Sequence, residues 1–291
     1  MIGDTMIDKI YIPTVKRVDN QITYDCLPKE LQKKVIFVVQ AWERDQYHYD
    51  NEYLILPEHI NLDHPRPLAE TRKIIYEHAK DTKYGMFDDD IVFYRRNKKY
   101  WGEESNMEKL NRISTEDDIF EMFDVFDKWL DEPNITVTSC WPLPRFPSNR
   151  PYENNKAVCS IFFINGKDFI HQLSEFDLTC VKTGQDILFI LYLLTNGYGN
   201  RTSNEFIFKN ISVEAPSRKI GSVIWDNQSF ESTFRDHKKI AELFPDFFKV
   251  LYDENGNRVP GGFRNFGKVK MLCSKAFKSH AAKSKSLMNF F

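Results

Sequence analysis

Tyr84-Gly85-Met86-Phe87-Asp88-Asp89-Asp90-Ile91-Val92-Phe93 is an apolar strand that runs into three consecutive acids and then resumes. Burying unpaired carboxylates costs several kcal/mol each. The run therefore predicts a strand that emerges at the edge of a sheet and meets a cation there. Hard cations such as Mg2+ and Mn2+ take one or two carboxylates together with phosphate oxygens. Alternation along an extended segment sets Asp88 and Asp90 on one side and Asp89 on the other. Asp88 and Asp90 are thus candidates for a metal and a nucleotide, and Asp89 for a ribose or Arg72. The competing reading is an ordinary acidic turn after a strand, which the apolar flanks disfavour.

Working outward, the preceding residues alternate strands with a helix. Residues 9–14 read as a short strand stopped by Pro13, and residues 34–40 as a β-branched run of the kind buried on both faces of a parallel sheet. Tyr53-Leu54-Ile55-Leu56 is a third strand. Residues 67–79 carry helical spacing with Pro67 at the first position. This is the βαβ rhythm of an α/β fold, in which ligands sit beyond the carboxyl ends of the strands. Downstream, the reading gives a helix over 114–130 with a capping-box-like Ser114-Thr115-Glu116-Asp117 start. Strands follow at 134–139, 157–165 and 205–213, with helices at 186–195 and 233–243 and a hairpin turn at 253–257. Residues 141–151 hold four prolines with Arg145 and Arg150 and read as a long loop.

Composition bounds the function class. The chain has 291 residues, 42 % hydrophobic and 28 % charged, which is ordinary for a globular protein and excludes a disordered or low-complexity one. Five widely spaced cysteines with no CxxC pair argue against a disulfide framework or a structural zinc site. The first nine residues lack the apolar stretch of a signal peptide, and the run 187–194 is too short to span a bilayer. A cytoplasmic protein, with no membrane partner, is the expectation. The net charge of −2 conceals a split: the last 29 residues hold seven Lys and Arg and no acid, leaving 33 basic against 42 acidic residues before them. Such a basic end suits an anionic partner.

Other candidates stand one by one. In Thr183-Gly184-Gln185-Asp186, Asp186 is either a helix cap or a general base. Lys16, Arg17, Arg44 and Arg72 are candidates to hold a diphosphate, with Arg72 the strongest because it lies on the helix before the triplet. His237 is a candidate late metal ligand, against the commoner reading of an exposed helical histidine. The chain has no GxGxxG, Walker A, GxSxG or HExxH pattern.

Ile10-Tyr-Ile-Pro-Thr14, Leu68-Ala-Glu-Thr-Arg-Lys-Ile74, Met86-Phe-Asp-Asp-Asp-Ile91 and Gly184-Gln-Asp-Ile187, in that order, resemble a GT-A glycosyltransferase. More narrowly, they are similar to the TET/JBP-associated DNA glycosyltransferases of bacteriophages and kinetoplastids, over about residues 8–250. The resemblance implies an α/β fold with a single GT-A (Rossmann-like) mixed sheet flanked by helices. It implies a domain over residues 1–262, with 263–291 as a basic C-terminal tail. It implies transfer of a sugar from a nucleotide-sugar, expected to be a UDP-sugar, to a hydroxymethylated or already glycosylated pyrimidine in phage DNA, in the cytoplasm of an infected host. Asp88-Asp89-Asp90 would be the DxD motif, with Asp88, Asp90 and His237 holding Mn2+ or Mg2+. Thr14, Arg17, Arg72, Asp88 and Asp89 would bind the nucleotide-sugar, and Asp186 would be the catalytic base. Trp141, Arg145 and Arg150 would meet the acceptor DNA, reaching a flipped base by stacking. The alternatives are a GT-A enzyme with a protein, lipid or glycan acceptor, and a two-metal nuclease.

Overall fold

A computed structural model describes residues 7–61, 63–97, 111–143, 150–167, 176–211, 230–257, 259 and 268–288. The chain opens with β1 (Lys9–Pro13), the short helices α1 (Ile22–Cys26) and α2 (Lys29–Gln32), and β2 (Val35–Gln40). A 3-10 turn leads to β3 (Glu52–Leu56), α3 (Pro67–His78) and β4 (Lys83–Phe87). The triplet then links β4 to β5 (Ile91–Arg96), which β6 (Asn111–Ile113) follows. Next come α4 (Glu116–Leu130), β7 (Ile135–Pro142), β8 (Tyr152–Asn154) and β9 (Ile161–Asn165). The chain goes on through α5 (Gln185–Thr195), β10 (Gly199–Asn210), α6 (Phe230–Leu243), β11 (Phe248–Val250), β12 (Val269–Met271) and α7 (Cys273–Met288).

Ten strands make one mixed sheet in the order β3-β2-β1-β4-β9-β7-β10-β5-β6, with β8 beside β10. The first four strands are mutually parallel, as expected from the βαβ rhythm. The antiparallel β9 then joins β4 to β7. Period-two alternation divides the strands between two cores. Tyr11, Ile36, Val38, Met86, Phe162 and Ile164 face α3, α5 and α7. Ile10, Ile12, Phe37, Phe87, Ile161 and Phe163 face the core that holds Met122, Phe123 and Phe126 of α4. At about 25 cal/mol per Å2 of apolar surface removed from water, this burial on both faces is the main stabilising contribution.

Three features differ from the sequence reading. First, the acids do not interrupt one strand. They end β4, and β5 pairs far away on β10, with β9, β7 and β10 lying between the two. Second, the α4 cap is one residue later than expected. Thr115 is the N-cap and shares a capping box with Asp118, because Asp118 is the acid three positions on. Third, much of the basic end belongs to the folded body. Val269–Met271 pairs with β11, and Cys273 and Ala276 of α7 are buried in the core beside α5. The apolar positions of α7 bind it there despite its lysines. Among the described residues no helix is long and apolar enough to cross a membrane.

Candidate active site

The triplet leaves the carboxyl end of β4, and its backbone is pinned before its side chains are considered. The Asp88 N–H donates to the Ser160 carbonyl at 2.9 Å. The buried Thr23 hydroxyl donates to the Asp88 carbonyl at 2.6 Å and accepts the Ile91 N–H at 2.8 Å. The Ile211 N–H donates to the Asp90 carbonyl at 2.9 Å. One helix residue and two strand ends thus hold three charged residues in place.

The three side chains have different surroundings. The Asp89 carboxylate accepts from the Thr14 hydroxyl at 2.7 Å and lies 2.9 Å from Arg17. Asp90 accepts from the Asn210 amide at 2.9 Å, with Arg17 at 3.9 Å. Asp88 is the most open of them, its side chain 34 % exposed, and Arg72 stands 3.7 Å away. The pairing corrects one expectation: Arg72 faces Asp88, and the partner of Asp89 is Arg17. Thr14 and Arg17, expected beside the nucleotide, both meet the triplet through Asp89. Gln21 holds this corner by donating to Thr14 at 3.0 Å and to the Arg17 carbonyl at 2.7 Å.

The cations do not offset the loss of solvation. Burial pushes the Asp88 carboxyl up to about 6, with Arg72 opposing and the charges of Asp90 and Asp186 adding to the rise. Burial likewise pushes Asp89 up to about 7, against Arg17 and Thr14. Carboxyls perturbed in this way at the carboxyl end of a central strand mark a candidate functional site.

Asp186 lies near enough for its charge to raise the pKa values of Asp88, Tyr76 and the Cys159 thiol. It is not the helix cap. Gly184, in the left-handed region at φ 76°, holds the cap position of α5, and Asp186 lies in the first turn. The Cys159 thiol is pushed up to about 12 by burial and then by the charges of Asp186 and Asp88.

Asp236 is a residue the sequence reading missed. One oxygen of this buried carboxylate accepts from the Lys182 N–H at 3.0 Å, the Thr183 N–H at 2.9 Å and the Thr183 hydroxyl at 3.0 Å. It thereby fixes the turn that presents Gly184 and Asp186. No local pattern marks it, because its partners lie 53 and 54 positions earlier.

The remaining candidates are dispersed. His237 is buried, with its ring 5.9 Å from Phe248 and close to Gly184. Among the described residues no group of three His, Cys, Asp or Glu gathers closely enough to hold a metal, so His237 does not join Asp88 and Asp90 there. Lys16 donates its N–H to Glu43 at 2.8 Å, and Arg44 lies over the Tyr53 ring at 3.5 Å. Trp141, expected in the acceptor loop, is a core residue of β7, 4 % exposed and opposite Ile207. Strand pairing prevails over the prolines that follow it, so the ring is not open to stack on a base. Arg145 lies outside the described residues. Arg150 is exposed and lines a cavity of about 640 Å3 with Tyr152, Lys156 and Ser274. None of the residues around the triplet borders that cavity.

A family model described as TET-Associated Glycosyltransferase matches residues 8–202. The chain belongs to this family. The match supports the expected glycosyltransferase assignment, and its span takes in the triplet, Arg17, Arg72 and Asp186 of this TET-associated glycosyltransferase. Asn210 and Asp236 lie beyond it. No curated protein matches the chain.

Proposed function

We propose that this glycosyltransferase moves a sugar from a nucleotide-sugar, in the first instance a UDP-sugar, to a hydroxymethylated or already glycosylated pyrimidine in bacteriophage DNA. The observation that carries this reading is the convergence of Asp88, Asp90, Arg72 and Asp186 at the carboxyl edge of the sheet. The donor set fits a divalent cation, Mn2+ or Mg2+. Asp88 and Asp90 offer hard carboxylate oxygens, the kind that hold such a cation together with phosphate oxygens of a donor. When bound, the cation would neutralise charge developing on the leaving diphosphate.

The chain's own residues supply the rest. Arg72, at 3.7 Å from Asp88, extends positive charge toward the diphosphate. Thr14 and Arg17 hold Asp89 and form the wall for the nucleotide. Asp186 takes the proton of the acceptor hydroxyl as that oxygen attacks the anomeric carbon. Arg145, Arg150 and the lysines of the basic end favour DNA over a protein, lipid or glycan acceptor. The family match leaves the two-metal nuclease reading without support.

A screen of radiolabelled nucleotide-sugars, with hydroxymethylated DNA as acceptor and Mn2+ or Mg2+ present, tests the reading. Mass spectrometry of the digested nucleosides should show a sugar on the modified base. Chelation by EDTA should abolish transfer. Label that enters protein or glycan and never DNA would overturn the DNA assignment.

A further inference from the structure

Strands β11 and β12 form a two-stranded ribbon apart from the main sheet, and its register sets Lys249 directly opposite Lys270. On either side of this pair, Phe248 lies opposite Met271 and Val250 opposite Val269, and all four pack against the core. Period-two alternation therefore turns both lysines away from the core, and both are exposed. Opposed residues of an antiparallel pair have Cβ atoms about 5 Å apart, and like charges there are destabilising. Among the described residues neither lysine has an ion-pair partner.

More positive charge gathers around the pair. Lys268, just before β12, is exposed. The Leu272 N–H donates to the Phe247 carbonyl at 2.7 Å, which ties the start of α7 to the ribbon. Lys275, in the first turn of α7, has its ammonium 3.4 Å from the Asp246 carbonyl and 5.8 Å from the centre of the Phe247 ring. Lys278, three positions on, shares that face of the helix and is exposed. Over residues 246–280 the described residues hold these five lysines against three acids, Asp246, Asp253 and Glu254. Asp253 is committed to its turn, where its carboxylate accepts the Asn255 N–H at 2.9 Å and the Asn257 N–H at 2.7 Å. Ser274 carries the surface on to the cavity that Arg150, Glu153 and Lys156 line, with Lys156 2.8 Å from Glu153.

We propose that the β11–β12 ribbon and the first turns of α7 form a docking surface for the phosphate backbone of duplex DNA. Charge selects the occupant. Duplex DNA carries one negative charge for about every 1.7 Å of its axis, so it can meet closely spaced ammoniums together and relieve their repulsion. Lysines act there as point charges, which hold a backbone without reading its bases. The surface lies beyond the residues that the family model matches and includes none of those around Asp88. The inference rests on the reading that DNA is the acceptor, and it adds a place where the backbone is held apart from the catalytic residues.

The test measures binding of the full-length protein to a short unmodified DNA duplex of arbitrary sequence, by fluorescence anisotropy over a range of salt and without nucleotide-sugar. The double variant Lys249→Gln/Lys270→Gln is set beside Lys33→Gln/Lys128→Gln, which removes the same charge from exposed lysines of α2 and α4. The ribbon variant should bind at least about tenfold more weakly near 0.1 M salt and lower the slope of log affinity against log salt by about 2, one for each lost phosphate contact. The loss should be the same for duplexes of different sequence. Its melting temperature should not fall, because a like-charge pair has been removed. The control variant should keep the wild-type slope. Equal losses in the two variants would mean that binding follows net charge alone and would overturn the inference, as would weaker binding accompanied by a lower melting temperature. Wild-type affinity and slope in the ribbon variant, or a wild type that glycosylates DNA without measurable affinity for the duplex at low salt, would overturn the inference alone. A wild type that neither binds DNA nor transfers sugar to it would overturn the DNA reading and the inference with it.

Discussion

Strand β4 meets acids at both of its ends, and the two ends differ in how those acids are compensated. At its start, the Lys83 ammonium lies 2.8 Å from Asp127 and 2.7 Å from Asp131. Burial would lower the pKa of Lys83, but hydrogen bonds with the two carboxylates outweigh it and raise it. At the other end, Arg72 stands 3.7 Å from Asp88 and Arg17 lies 2.9 Å from Asp89, and burial wins at both acids. Asp118 on α4 sides with the first end. Burial would push it up, but bonds from Arg112 and Thr115 hold it down at about 2. Similar chemistry in one fold is thus structural where the bonds outweigh burial. It is poised for a ligand where burial outweighs the bonds.

The largest effect expected from this contrast is on turnover. Asp88→Asn should lower transfer by about 10²–10³-fold, the size of losing a group that manages charge in the transition state. Its melting temperature should stay level or rise, because an under-compensated carboxylate has gone. Normal turnover in this variant would erase the distinction between the two ends. Lys83→Met should do the reverse. Leaving Asp127 buried without its cation should cost about 3–5 kcal/mol in a urea melt, while the folded fraction keeps its turnover. A melt within 1 kcal/mol of wild type, about the worth of an exposed pair, would mean that the ion pair is no anchor.

Asp236→Asn keeps the shape of the side chain and weakens its three bonds to residues 182 and 183. It should cost about 1–3 kcal/mol of stability and lower kcat more than it weakens donor binding, since it acts on the turn that carries Asp186. Equal losses in kcat and donor affinity would argue that Asp236 acts on the donor site. The smallest effect is the acid dependence of Asp118. Its folded value of about 2 lies below its ordinary 3.8, so its contribution is present above about pH 4 and fades as pH falls through about 2. Acid denaturation followed by circular dichroism should be steeper below pH 4 in wild type than in Asp118→Asn. Coincident acid limbs would place the stabilising bonds elsewhere.

How far the residues spoke for themselves depends on whether a signal was local. The β1–α3–β4 succession and the triplet are local, because period two, period 3.6 and a run of acids are visible within a dozen residues. The antiparallel insertion of β9 carries no such mark. Trp141 was misread because the prolines after it suggest a loop, whereas pairing of β7 with β10 continues through Pro142. At the site, Asp88 and Asp186 were readable from their neighbours. Thr23, Asn210, Ser160 and Asp236 were not, since each is an ordinary polar residue until its partner, many residues away, is set beside it.

By itself the sequence determined an α/β chain with a charged strand end, two arginines close by and a later acid after a glycine turn. Hydrophobic periodicity and local turn chemistry suffice for that. Only the tertiary structure decided which cation faces which acid, that Asp186 comes within electrostatic reach of Asp88, and that the basic end partly folds onto the body. Coulomb and hydrogen-bond energies depend on distance in space, and distance in space across a mixed sheet is not written in the spacing of residues along the chain.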